Sequence, residues 1–126
     1  FFKMYLTDLG LLVAMYGFEM KLAILDDTLT GPVKGGIYEN LIADILMKSH
    51  HSLHYYQNKN LGIEFLVEQN AKVIPVEVKA GNNRSQSMDQ LLKDANIPYG
   101  YKFVNGNCGM NGKKITLPLY LAMYVD

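Results

Sequence analysis

Residues 61–81, LGIEFLVEQNAKVIPVEVKAG, decide the fold. Two runs rich in Val, Ile and Phe flank Asn70-Ala71, which reads as a β-hairpin joined by a two-residue turn. With that turn Gln69 pairs with Lys72, Glu64 falls opposite Glu77, and Lys79 falls opposite Gly62, whose missing side chain leaves room above the sheet. Cross-strand partners on one face have Cβ atoms roughly 5 Å apart, and like charges placed there weaken a sheet. Two acids facing each other therefore need a reason beyond strand formation. The pairing depends on the turn length, because one extra loop residue would set Glu64 against Val78 and send the acids to opposite faces.

Upstream, DDTLTGPVKGG (26–36) has loop chemistry, and a helix starts within it near Pro32 and runs to about His50. Pro32 suits its first turn, and Ile37, Tyr38, Leu41, Ile42, Ile45 and Leu46 form an apolar stripe at helical spacing. Glu39 lies in line with Ile42, Ala43 and Leu46, on the border of the stripe turned toward the sheet. Gly35 and Gly36 before it would permit close approach of the helix backbone. Glu39, Glu64 and Glu77 would then converge, and three crowded carboxylates require a proton or a cation between them. An oxygen-only set of this kind suits Mg²⁺ or Mn²⁺. Lys79 beside it would stabilise charge on a phosphate or position a water, the division of labour used in metal-assisted phosphodiester hydrolysis.

The remaining elements follow from local chemistry. FFKMYL (1–6) reads as a short strand, and TDLGLLVAMYG (7–17) as a helix capped by Thr7 or Asp8 and stopped at Gly17. LHYYQ (53–57) is a strand, SQSMDQLLKDA (85–95) a helix and YGYKFVNG (99–106) a strand. NCGMNG (107–112) reads as a turn, followed by a last strand and a short apolar element within KKITLPLYLAMYV (113–125). Helix, β-meander, helix and strand in this order imply a mixed sheet with helices packed on it.

The 126 residues are 49% hydrophobic, enough for one domain and too few for two. Twelve Lys and Arg balance twelve Asp and Glu, which excludes a global basic field for nucleic acid and makes any such contact local. The single Cys108 forms no internal disulfide, which points to the cytoplasm, and no apolar run approaches the ~18 residues of a membrane span. The chain opens at Phe1 and not at methionine, as expected of a piece of something longer.

GIEF followed after a hairpin by PVEVKAG resembles the PD-(D/E)-x-K nuclease core, with Glu64 at the first acid, Glu77 at the second, Lys79 at the lysine and Glu39 at the acid of the preceding helix. KMYLTDLGLLVAM, GGIYENLIADIL, YYQNKNLGIEFLVE and VIPVEVKAG together resemble the uncharacterised C-terminal domain of prokaryotic AAA-type ATP-binding proteins, and they cover most of the chain in order. The resemblance implies a restriction-endonuclease-like α/β fold spanning residues 1–126, an ATPase module upstream, DNA as substrate, and catalysis by Glu39, Glu64, Glu77 and Lys79 with the three acids on the metal. Glu64 stands where such nucleases usually carry aspartate. Gln90 is followed four residues later by Asp94, so the Gln-x-x-x-Tyr pair of some of these nucleases is not carried over.

Plainer readings stand beside these. A Glu-x-Lys on a strand end, taken alone, describes a solvated ion pair, and the same fold with its acids as remnants would serve as a docking or regulatory module of its ATPase. His50, His51 and His54 form a candidate metal cluster but equally suit a helix C-terminus. Arg84 and Ser85 are candidate phosphate contacts in a polar loop. Tyr55, Tyr56, Tyr99 and Tyr101 are sheet residues or base-stacking platforms, and Cys108 is a thiol without a base beside it.

Overall fold

The computed structural model describes residues 2–81 and 85–125. It is an α/β domain whose six-stranded mixed sheet is flanked by helices. The elements in chain order are α1 (Leu9–Met15), α2 (Phe18–Leu25), α3 (Gly31–Lys48), β1 (His54–Gln57), β2 (Gly62–Gln69), β3 (Lys72–Lys79), α4 (Gln86–Leu91), β4 (Gly100–Val104), β5 (Gly109–Asn111), β6 (Lys114–Pro118) and a closing 3₁₀ helix, Leu119–Tyr124. The strand order is β1-β2-β3-β4-β6-β5.

The hairpin at the centre has the register its sequence implies, from Gln69 with Lys72 to Phe65 with Val76. Its turn is left-handed at both residues, Asn70 at φ 51° and Ala71 at φ 58°, the geometry that matches the twist of paired strands. Strand β4 runs parallel to β3 and to β6, and α4 provides the crossover between β3 and β4. The hairpin β5-β6 turns at Gly112, φ 57°. That corrects the reading of 107–112 as turn throughout, since Gly109–Asn111 pairs with β6 and only the last glycine supplies the bend.

The main core lies between α3, the 3₁₀ helix and one face of the sheet. Ile42, Ala43 and Leu46 from α3 meet Phe65, Val67, Ile74, Val76, Val78 and Phe103, with Ala122 and Val125 closing the end. The opposite face is covered by α4, whose Met88 lies against Pro75 and Gly100. A Cβ on Gly100 would stand 2.6 Å from Met88 Sδ and 3.0 Å from Pro75 Cγ, so this glycine is required by close approach.

Helix α1 begins as expected at Asp8, whose Oδ1 accepts from the Leu11 amide at 3.0 Å, and a second helix follows directly after Gly17. Residues 2–6 are not a strand. Their polar backbone is satisfied by a side chain instead: the buried Asn40 of α3 accepts from the Leu6 amide at 2.8 Å and donates to the Leu6 carbonyl at 2.9 Å. One amide thus substitutes for a neighbouring strand.

Candidate functional site

Regular pairing of β2 with β3 ends at Phe65 and Val76, one residue short of Glu64 and Glu77. In a continued ladder the Val78 amide would answer the Ile63 carbonyl. Here it donates to Glu64 Oε2 at 3.2 Å, so the acid caps the point where pairing changes. The other oxygen, Oε1, lies 3.4 Å from Lys79 Nζ, and Lys79 Nζ is also 3.4 Å from Glu77 Oε1. Alternation along β3 puts Glu77 and Lys79 on one face. The result is one ammonium held between two carboxylates. Gly62 has nothing within 4 Å of where a Cβ would stand, and it pairs with Gln57 of β1.

Burial differs sharply within this group. Glu77 is 1% exposed, and among the described residues its Oε2 has no hydrogen-bond partner. An orphaned carboxylate oxygen at that depth is costly unless something else meets it. Burial raises the Glu64 carboxyl above its ordinary range, and the charge of Glu77 pushes the same way, against the pull of Lys79 and of the Glu64 and Val78 amides. For Lys79, burial works to lower the ammonium, but the carboxylates of Glu64 and Glu77 outweigh it and leave the group above its ordinary value.

Glu39 is engaged elsewhere. Its Oε1 takes Lys3 Nζ at 2.7 Å and the Tyr5 hydroxyl at 2.6 Å. Tyr5 connects the two regions: its ring packs on Phe65 at 5.5 Å, and its phenol is pushed far upward by burial, by the hydrogen bond and charge of Glu39, and by the charge of Glu64. Glu39 is thus bonded to Lys3 and Tyr5, while Glu64 and Glu77 share Lys79. Among the described residues no group of three or more His, Cys, Asp or Glu is arranged to hold a metal ion. Sequence reasoning missed Lys3 and Tyr5 because FFKMYL reads as a strand, yet they stand two apart, the spacing that puts side chains of an extended segment on one side.

The fit to a divalent cation is accordingly narrower than a three-acid cage. Glu64 and Glu77 supply hard oxygen donors, one of them buried and without a partner among the described residues, and Mg²⁺ commonly takes one or two protein carboxylates and completes its shell with water and phosphate. Two carboxylates suit such an ion, with Lys79 Nζ 3.4 Å from each of them.

The other candidates are placed as follows. Gly35 and Gly36 would meet nothing within 4 Å as alanines, so they do not mark a close approach. Gly35 instead lines a cavity of about 520 Å³ with Thr30, Lys34 and Lys79. His51 Nε2 lies 3.1 Å from the Val125 carbonyl, tying the end of α3 to the C-terminal segment. Tyr99 and Tyr101 pack edge to face at 5.5 Å, and the Tyr99 hydroxyl donates to Gln69 Oε1 at 2.9 Å. Ser85 is buried, its Oγ without a hydrogen-bond partner among the described residues, whereas Arg84 lies outside them. Cys108 is exposed and free, and no described helix is long and apolar enough to cross a membrane.

Fold and cluster together define an α/β domain carrying a Glu–Lys–Glu group where two central strands part. The chain belongs to the family described as "Domain of unknown function (DUF4143)", whose model matches residues 34–122. That span holds Glu39, Glu64, Glu77 and Lys79 but not Lys3 or Tyr5. No curated protein and no solved structure matches the chain.

Proposed function

We propose that this chain is a metal-dependent, PD-(D/E)-x-K nuclease-like domain of restriction-endonuclease-like fold. It hydrolyses phosphodiester bonds of DNA in the cytoplasm, as the C-terminal part of a chain with an AAA-type ATPase upstream. The observation that carries the reading is Lys79 Nζ at 3.4 Å from both Glu64 and Glu77, next to Glu77 Oε2, which has no hydrogen-bond partner among the described residues. Glu64 and Glu77 would hold a Mg²⁺ or Mn²⁺ ion, which when bound supplies positive charge to the phosphate and makes water more acidic. Lys79, relieved of one acid, donates to a non-bridging phosphate oxygen, where charge develops. Burial keeps these charges in a medium where they act strongly. Glu39 acts at one remove, anchoring Lys3 and Tyr5 beside Glu64.

The test is incubation of plasmid, linear and single-stranded DNA with Mg²⁺ or Mn²⁺. Cleavage that survives the double change Glu77→Ala, Lys79→Ala comes from a contaminant and removes the reading.

A second reading, a silent docking or regulatory domain of the ATPase, is favoured by α1 and α2. Neither has a buried residue, and Leu11, Met15, Phe18 and Leu25 are exposed. A domain that cuts nothing and binds no divalent ion, yet changes ATP turnover when joined to its natural upstream region, would establish it.

A further inference from the structure

Beside Glu64 opens a cavity of about 550 Å³ whose lining phosphodiester chemistry alone does not use. Glu64 and Lys3 are charged groups in its wall, and much of the rest is aromatic: Phe2, Tyr5, Tyr55 and Phe65. Phe2 is 77% exposed and Tyr55 37%, while Lys3 Nζ stands 5.8 Å from the centre of the Tyr55 ring. An aromatic face with a cation beside it, one wall away from the acid cluster, has the makings of a stacking platform.

Charge narrows the ligand further. Formal net charge is zero, so no global basic field draws the domain onto many duplex phosphates. Binding must come from few phosphates and from something else. In a duplex the faces of the bases are hidden, whereas an unpaired strand offers them to aromatic side chains. We infer that this cavity receives an unpaired nucleobase of the strand whose phosphodiester lies at Glu64 and Lys79, so that the substrate class is single-stranded or locally opened nucleic acid. This rests on the phosphodiester-cleaving reading for its neighbour site, but the base pocket is tested separately.

The experiment is fluorescence anisotropy of the intact chain with labelled thymidine and uridine homopolymers and a duplex of equal length, with chelator present so that nothing is cut. Single strands should bind roughly tenfold more tightly than duplex, Tyr55→Ala should lose most of that margin, and Tyr55→Phe should keep it. The salt dependence should correspond to only about one or two released counterions. Comparing the deoxy and ribo strands identifies the sugar. Tyr55→Leu, which fills space without a π face, replaces the alanine variant if that fails to fold. Equal or tighter duplex binding, or single-strand binding indifferent to both Ala and Leu at position 55, overturns the inference. Tyr55-dependent strand binding without metal-dependent cleavage would uphold it and remove the nuclease reading. Metal-dependent duplex cleavage indifferent to Tyr55 would do the reverse.

Discussion

Glu64 spans two neighbouring residues of the facing strand, holding the Val78 amide at 3.2 Å with one oxygen and lying 3.4 Å from the Lys79 ammonium with the other. The Lys79 ammonium therefore competes with any cation for the same carboxylates. Lys79→Met should bind Mn²⁺ more tightly than the wild type while cleaving DNA about a hundredfold more slowly, since the donor to the phosphate is lost. Parallel binding and single-turnover measurements check the split. A variant that loses both would mean the lysine only holds the site together.

The turn at Asn70-Ala71 places an alanine at φ 58°, a region costing a residue with a Cβ about 1 kcal/mol. Ala71→Gly should raise stability by about 0.5 kcal/mol after allowance for the freer unfolded chain. Urea denaturation reads this directly. A loss of stability would show that the turn is not the left-handed pair that fixes Glu64 opposite Glu77.

Gly100→Ala should cost about 2 kcal/mol by overpacking, because the new methyl would stand 3.0 Å from the rigid ring of Pro75 as well as 2.6 Å from Met88 Sδ. Combining it with Met88→Ala should make the two changes less than additive. A double-mutant cycle in denaturant is the check, and full additivity would deny the contact.

Much of the fold was legible because the hairpin carries strong local signals. Apolar strands, a two-residue turn and the period of two determine which residues face each other, so the register from Gln69–Lys72 to Phe65–Val76 follows from 61–81 alone. Helix α3 was equally readable from its stripe. Glu39 was placed on the right element, but its partners were hidden, because nothing in residues 2–6 announces that Asn40 holds the Leu6 backbone and brings Lys3 and Tyr5 onto that carboxylate. Helix α2 escaped notice for a related reason. None of its residues is buried, so it carries no clear stripe to read.

Acid and alkali should act on different members of the cluster. Burial holds the Glu64 carboxyl above 4.5, so the folded state binds that proton more tightly than the unfolded state does. Its contribution to stability is present below 4.5 and is lost as pH rises through the raised folded value. Glu64→Gln should therefore lose less stability than wild type over that rise. Burial opposes ionisation of Lys79, but Glu64 and Glu77 leave the ammonium above 10.5, so its contribution is full below 10.5 and disappears as pH climbs past the folded value. Lys79→Met should lack that alkaline step. Denaturant midpoints across both ranges measure the slopes, and identical slopes in wild type and variants would contradict the assignment.

The central claim is that Glu64 and Glu77 form a divalent-cation site with Lys79 beside it, and calorimetric titration of the wild type and of Glu77→Gln with Mn²⁺ tests it most directly. The account predicts one ion per chain, with affinity falling at least about tenfold when the buried Glu77 loses its charge, because the remaining carboxylate must then hold the ion with water alone. No binding heat in the wild type, or equal affinity in a Glu77→Gln variant that melts normally, would contradict it.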